Sequence, residues 1–187
     1  LESKGIKVQV TDDPEQIAEN GLIVNRVSAL LAEHDTARAD RITNSLRTWE
    51  IEGRSVINGS FCFQTGYSKL AQAKLFSDCG VLTPQTYPAV PGGRAIQGKT
   101  VLLKPPAGGF GRGIRILEDG EPAPDGLFSR GEGWIEQEML TAADGRVHRI
   151  EVLGSDILYE ASSPLQADKF DYCLAHPESD VSLRPPR

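Results

Sequence analysis

Leu102-Leu103-Lys104-Pro105-Pro106-Ala107-Gly108-Gly109-Phe110-Gly111-Arg112-Gly113-Ile114 is the stretch on which the reading of this chain turns. An apolar strand ends in a lysine, a glycine-rich loop follows, and Ile114 and Ile116 open a second apolar strand. A lysine placed where a strand runs into such a loop suits phosphate binding. Its ammonium neutralises phosphate charge while backbone N–H groups of the loop close over the oxygens. Glycines let that backbone approach closely and adopt positive φ. Taken alone, the same residues also read as a glycine-rich β-hairpin carrying an exposed lysine.

A chain of 187 residues has room for one compact domain or two small ones. With 39% hydrophobic and 25% charged residues, its composition is that of an ordinary globular protein. A net charge of −6 argues against nucleic acid or an anionic membrane surface as partner. No apolar run approaches the roughly 20 residues of a membrane span. No basic segment leads into an apolar one as in a signal peptide. Cys62, Cys79 and Cys173 are odd in number and widely spaced, so they fit no zinc or disulfide pattern. Buried or idle thiols in a reducing cytoplasm are the expectation. The chain starts at Leu1 and ends in a polar, proline-rich tail over 176–187, expected to be poorly ordered; both ends read as those of a fragment.

Residues 5–10 alternate like a strand, and Asp13-Pro14-Glu15 reads as a helix start. Residues 22–25 form a short apolar strand. Ala39, Ile42, Leu46 and Trp49 recur at helical spacing up to Gly53, and residues 55–58 form another strand. This rhythm predicts a partial, parallel, Rossmann-like domain over 1–60 in an α/β protein. A helix is expected from Tyr67 to Cys79, stopped by Gly80. Beyond Pro84 the texture changes to short strands over 85–87, 100–104, 113–117, 133–138, 146–153 and 156–161. Gly154-Ser155 reads as the turn between the last two. A domain boundary is expected near 60–66, with a second domain over 61–175.

Gly93-Arg94-Ala95-Ile96-Gln97-Gly98-Lys99-Thr100 formally satisfies the Walker A expression. A working P-loop follows a buried strand and opens a helix. Here Pro91-Gly92 precedes it and the strand Val101-Leu102-Leu103 follows, so the match is set aside.

The ordered set is more specific than any of its parts. Val56-Ile57-Asn58-Gly59-Ser60 is followed by Ser68-Lys69-Leu70 and then by Gly80-Val81-Leu82-Thr83-Pro84-Gln85-Thr86. The Leu103-Lys104-Pro105 strand end, the glycine loop to Gly113-Ile114, Gln137-Glu138-Met139-Leu140 and the Arg149 strand complete it. Over residues 54–175 this order resembles the ATP-grasp superfamily, and within it the RimK-type and glutathione-synthetase-like ligases. The resemblance implies a two-lobed fold and a set of roles. Lys69 and Lys104 would grip the ATP phosphates. Gly108, Gly109, Gly111 and Gly113 would form the mobile loop over them. Glu138 and Met139 would form the hinge that reads adenine, and Arg149 would steady the acyl phosphate or the incoming substrate.

Each residue also has a plainer reading. Lys69 alone is a solvated lysine. Glu136 and Glu138 alone are the outward face of a half-buried strand. Arg149 pairs as well with Glu151 or Glu160 across a sheet. His34, His148 and His176 show no ligand spacing, and Asp144 before Gly145 reads as turn chemistry.

The chain departs from the family at three places. Ser163 and Asp171 stand where relatives carry arginines, the latter within Phe170-Asp171-Tyr172-Cys173. A charge reversal there inverts the local field and puts a glutamate substrate in doubt. The family's Mg²⁺ ligands, an Asp and a Glu-x-Asn strand, are expected beyond the end of this chain, which would leave weak nucleotide binding and little catalysis. The implied parent activity is ATP-dependent ligation of a small carboxylate to an amine, an amino acid or peptide, in the cytoplasm. The competing reading is a non-catalytic nucleotide-binding or interaction module. Apolar surface exposed at a cut end would favour aggregation or a homo-oligomer.

Overall fold

The computed structural model describes residues 5, 7–17, 21–28, 30–109, 111–128, 133–165 and 180–183. The fold is α/β, and the chain divides into two compact units. One is Leu1–Val81 with Pro106–Gly108; the other is Leu82–Pro105 with Gly109–Arg187.

In the first unit, β1 (Ile23–Val24) and β2 (Val56–Ile57) pair in parallel, with Ile23 opposite Val56 and Val24 opposite Ile57. Between them run α1 (Leu31–His34) and α2 (Thr36–Ile51). Asp35 starts α2 by accepting the Arg38 N–H at 2.9 Å. Ala39, Ile42, Thr43 and Leu46 form its buried stripe. Gly53, at φ 77°, ends it: its N–H donates to Glu50 O and the Arg54 N–H donates to Trp49 O. That pair of bonds satisfies carbonyls the helix leaves open. The stripe packs with Ala32 and Phe63 into one apolar core.

The parallel strand–helix–strand unit is therefore present, in two strands. The strand expected at 5–10 is not: residues 7–10 take no regular structure, and Val10 is 93% exposed. Alternation alone cannot hold a strand whose apolar side meets no partner. The helix start at Asp13 gives only one 3-10 turn, Pro14–Gln16.

Two helices follow β2, α3 (Ser60–Tyr67) and α4 (Lys69–Asp78). The single helix expected from Tyr67 starts instead at Lys69. Ser68 is extended (φ −100°, ψ 104°) and its side chain caps the Ala71 N–H. Gly80 closes α4 as Gly53 closes α2, with its own N–H on Ser77 O and the Val81 N–H on Phe76 O.

In the second unit β3 (Thr86–Pro88), β4 (Val101–Lys104), β5 (Arg115–Leu117) and β6 (Ile135–Glu138) form an antiparallel sheet in the order β3-β6-β4-β5. Val101, Leu103 and Leu117 face a core completed by Ile96, Ala123 and Trp134. By the two-residue period and the register, Leu102, Lys104, Gln137 and Thr86 share the opposite face. A hairpin of β7 (Arg146–Leu153) and β8 (Asp156–Pro164) turns at Gly154, φ 62°. β9 (Asp180–Leu183) adds to β8 from within the 176–187 tail. The remaining tail residues, with Phe170 to Cys173, lie outside the described residues. Among the described residues no helix is long and apolar enough to cross a membrane.

Candidate functional site

β4 is an interior strand, hydrogen-bonded to β6 on one side and β5 on the other. Its last residue, Lys104, is itself paired, opposite Ile135 of β6. The Lys104 ammonium donates to Gln137 Oε1 at 2.5 Å. Gln137 Nε2 donates to Thr86 Oγ1 at 2.9 Å, and the Thr86 hydroxyl donates to Pro84 O at 3.0 Å. Among the described residues Lys104 has no carboxylate partner. Partial burial pushes its pKa below the usual lysine value. A half-buried cation on neutral hydrogen bonds is suited to an anion from solvent.

The first glycine of the loop, Gly108, comes four residues after Lys104. Gly108, Gly111 and Gly113 adopt φ of 109°, 70° and 71°. An L side chain at these positions would be strained, which is the physical reason for glycine there. The Arg112 N–H donates to Gly109 O at 3.2 Å and the Ile114 N–H to Gly111 O at 3.4 Å, folding the loop's second half into turns. Phe110 lies outside the described residues.

Lys69 opens α4. Its ammonium donates to Gly108 O at 3.2 Å and its N–H to Pro106 O at 3.5 Å. Lys69 is thus brought together with the first half of the glycine loop.

Glu138 and Met139 are engaged in the sheet. The Glu138 carboxylate accepts from Lys99 Nζ at 2.5 Å, and that contact, first among several, holds its pKa below the usual carboxylate range. Its N–H donates to Gln85 O, and the Met139 N–H donates to Thr100 O. Both N–H groups are therefore already occupied, and an adenine edge read here would need other groups of this hinge. Lys99, the lysine of the Walker-like match, is this ion-pair partner, and β4 follows it rather than a helix.

Arg149, on β7, places Nε and Nη2 at 2.8 and 2.6 Å from Glu151 Oε1. The ion-pair reading of Arg149 is the arrangement present, along the strand rather than across it. Asp144 does the turn chemistry expected of it, accepting the Arg146 N–H at 3.0 Å. It also accepts from His148 at 2.7 Å.

Glu136 overturns the expectation of an outward face. It is 0% exposed, on the core side beside Val101 and Leu103. Its Oε2 accepts the Ala95 and Ile96 N–H groups at 2.9 and 3.1 Å and lies 3.5 Å from Arg94 Nε. A two-residue period fixes which residues share a face; it does not say which face is wet. Gln137 and Thr86 also went unread as site residues. The signal was a neutral amide between two glutamates, one position off their face.

No protein-family model matches the chain, and no curated protein matches it. Among solved structures, it is 12% identical to an L-amino acid ligase from Bacillus licheniformis, over 76% of this chain and 42% of that one, with a TM-score of 0.49. It is 15% identical to N5-carboxyaminoimidazole ribonucleotide synthetase from Thermus thermophilus, over 73% and 46%, with a TM-score of 0.41. It is 21% identical to PsnB, solved with minimal precursor, Mg and ADP, over 80% and 47%, with a TM-score of 0.47. PsnB is an ATP-grasp ligase. The chain spans less than half the length of each of these structures.

Proposed function

We propose that this chain carries the phosphate-gripping part of an ATP-dependent carboxylate–amine ligase of the ATP-grasp type, nearest in motif order to the RimK-type enzymes. The supporting observation is Lys104: a half-buried ammonium on the side of an antiparallel sheet away from the Val101–Leu103 core, without a carboxylate partner among the described residues, four residues before a loop of positive-φ glycines. In the proposed reaction a carboxylate oxygen attacks the γ-phosphorus of ATP, and ADP leaves. An amine then attacks the acyl carbon, inorganic phosphate leaves, and the ammonium proton passes to solvent. Such chemistry asks the protein for positioning and charge neutralisation more than for a nucleophile. Lys104 and the loop N–H groups supply both to the phosphates. The amine and carboxylate substrates are an amino acid or small peptide, and the setting is the cytoplasm.

Magnesium, which the resemblance implies, finds no fitting ligand set among the described residues. No cluster of three His, Cys, Asp or Glu residues able to hold a metal occurs among the described residues. No step is therefore assigned to this chain's own metal site. A second reading, a nucleotide-binding module without catalysis, draws support from Arg149, whose guanidinium is engaged by Glu151.

Titration calorimetry with magnesium–ATP on the chain and on Lys104→Ala tests the shared part of both readings. Micromolar to millimolar binding, lost in the variant, is expected. No heat from the unsubstituted chain, with its circular dichroism intact, would overturn it.

A further inference from the structure

Three cationic side chains in the second unit already have carboxylates. Arg94 faces Glu136, Lys99 faces Glu138 and Arg149 faces Glu151. Strand β6 supplies two of these, on the core side of the sheet, and between them it turns the neutral amide of Gln137 to the other side. Lys104 meets that amide.

The amide's direction is fixed by its second contact. The Thr86 hydroxyl gives its proton to Pro84 O, so its oxygen is left to accept, and Gln137 must present Nε2 to it. The Gln137 carbonyl oxygen is thereby aimed at Lys104, and one of the three ammonium donors is tied down. A carboxylate at this position would orient the lysine as well but cancel its charge. An apolar side chain would spare the charge and leave the ammonium free to swing.

We propose that Thr86 and Gln137 form a neutral relay that aims the Lys104 ammonium at a bound polyphosphate without compensating its charge. Both are then positioning residues, acting through Lys104, and the assignment rests on the ATP-binding reading above.

The test compares Gln137→Glu with its near-isostere Gln137→Met, using magnesium–ATP titrations on the full chain. A relay that must stay neutral predicts that Gln137→Glu binds about tenfold more weakly than the unsubstituted chain, roughly 1.4 kcal/mol. Gln137→Met loses only aim, about threefold in affinity by the same arithmetic. Thr86→Val falls with Gln137→Met, and Thr86→Ser restores binding. A merely structural amide predicts the opposite order, because Gln137→Glu keeps a contact to Lys104 and Gln137→Met loses it. Equal affinity in the Glu and Met variants, or a stronger Glu variant, overturns the relay while leaving the ATP reading intact. Absence of binding by the unsubstituted chain overturns both. Melting temperatures of the variants are measured alongside, so that a fold defect is seen as such.

Discussion

Arg94 joins a buried carboxylate to the turns beneath the sheet. Its Nη1 donates to Glu118 O and Glu121 O at 2.6 and 3.1 Å, its Nη2 donates to Lys99 O at 2.9 Å, and its Nε faces Glu136. Both side chains are nearly inaccessible, at 4% and 0% exposure. An ion pair this dry gains little over an apolar pair, because both ions have left water. Removing one partner is different, since it strands the other charge. Arg94→Met is therefore expected to destabilise the second unit by about 3–5 kcal/mol. Arg94→Met combined with Glu136→Gln should recover part of that loss, because an amide oxygen still accepts from Ala95 and Ile96. Urea unfolding of the single and double variants measures the difference. A double variant no more stable than Arg94→Met would mean that the charge of Glu136 is not what makes the single change costly. The pair also shows what the chain hides at this scale. Lys104 is legible because it ends an apolar strand before glycines. Glu136 is not, because its partner lies forty-two residues earlier, in a stretch that local pattern reads as loop.

The β7–β8 hairpin carries a second charged cluster, and this one is exposed. His148 contacts Asp144 at 2.7 Å and Glu160 at 3.6 Å, with Arg146 on the same face bonded to Ser162 and the Arg149–Glu151 pair on the other. The Asp144 hydrogen bond is the main cause raising the His148 pKa, and His148 in turn is the main cause lowering that of Asp144. A raised histidine pKa gives a contribution that is full below the unfolded value and lost as pH rises through the folded one. A lowered carboxyl pKa gives one present above the unfolded value and lost as pH falls through the folded one. Both are full between the ordinary values, 3.8 for Asp144 and 6.5 for His148. Amide protection of β7 and β8, corrected for intrinsic exchange, should therefore be greatest in that window and decline on either side. His148→Gln should flatten the alkaline decline; an unchanged profile in that variant would remove the pair from the hairpin's stability. The element itself was easier to read than its chemistry. Alternation plus Gly154-Ser155 gives the hairpin, with β7 at its expected bounds. By contrast, α3 escaped notice, because Gly59-Ser60 starts it through Glu50, which accepts the Ser60 N–H at 3.0 Å from ten residues upstream. Local signals carry hairpins and glycine-stopped helices; a cap supplied by another helix leaves no local trace.

At the scale of the molecule, two cores are built from different sequence. Leu46 is 2% exposed among helices of the first unit, and Leu103 is 0% exposed within the sheet of the second. The glycine loop is divided between them: Pro106–Gly108 belongs to the first unit and Gly109 onward to the second. Ala107 packs against the first core, where Lys69 holds Gly108 O. Truncating either leucine to alanine should cost about 2–5 kcal/mol. The consequences should separate by unit. Leu46→Ala is expected to lower hydrogen-exchange protection in α2 and α3 and to loosen Pro106–Gly108, while β4 and β6 keep theirs. The magnesium–ATP binding proposed above should be retained, since Lys104 and Gln137 both belong to the second unit. Leu103→Ala should expose β4 and β6 to exchange and abolish binding by displacing Lys104, with α2 protected as before. Exchange followed by mass spectrometry resolves these segments in one experiment. Protection lost across both units in either variant would mean that the two cores unfold as one.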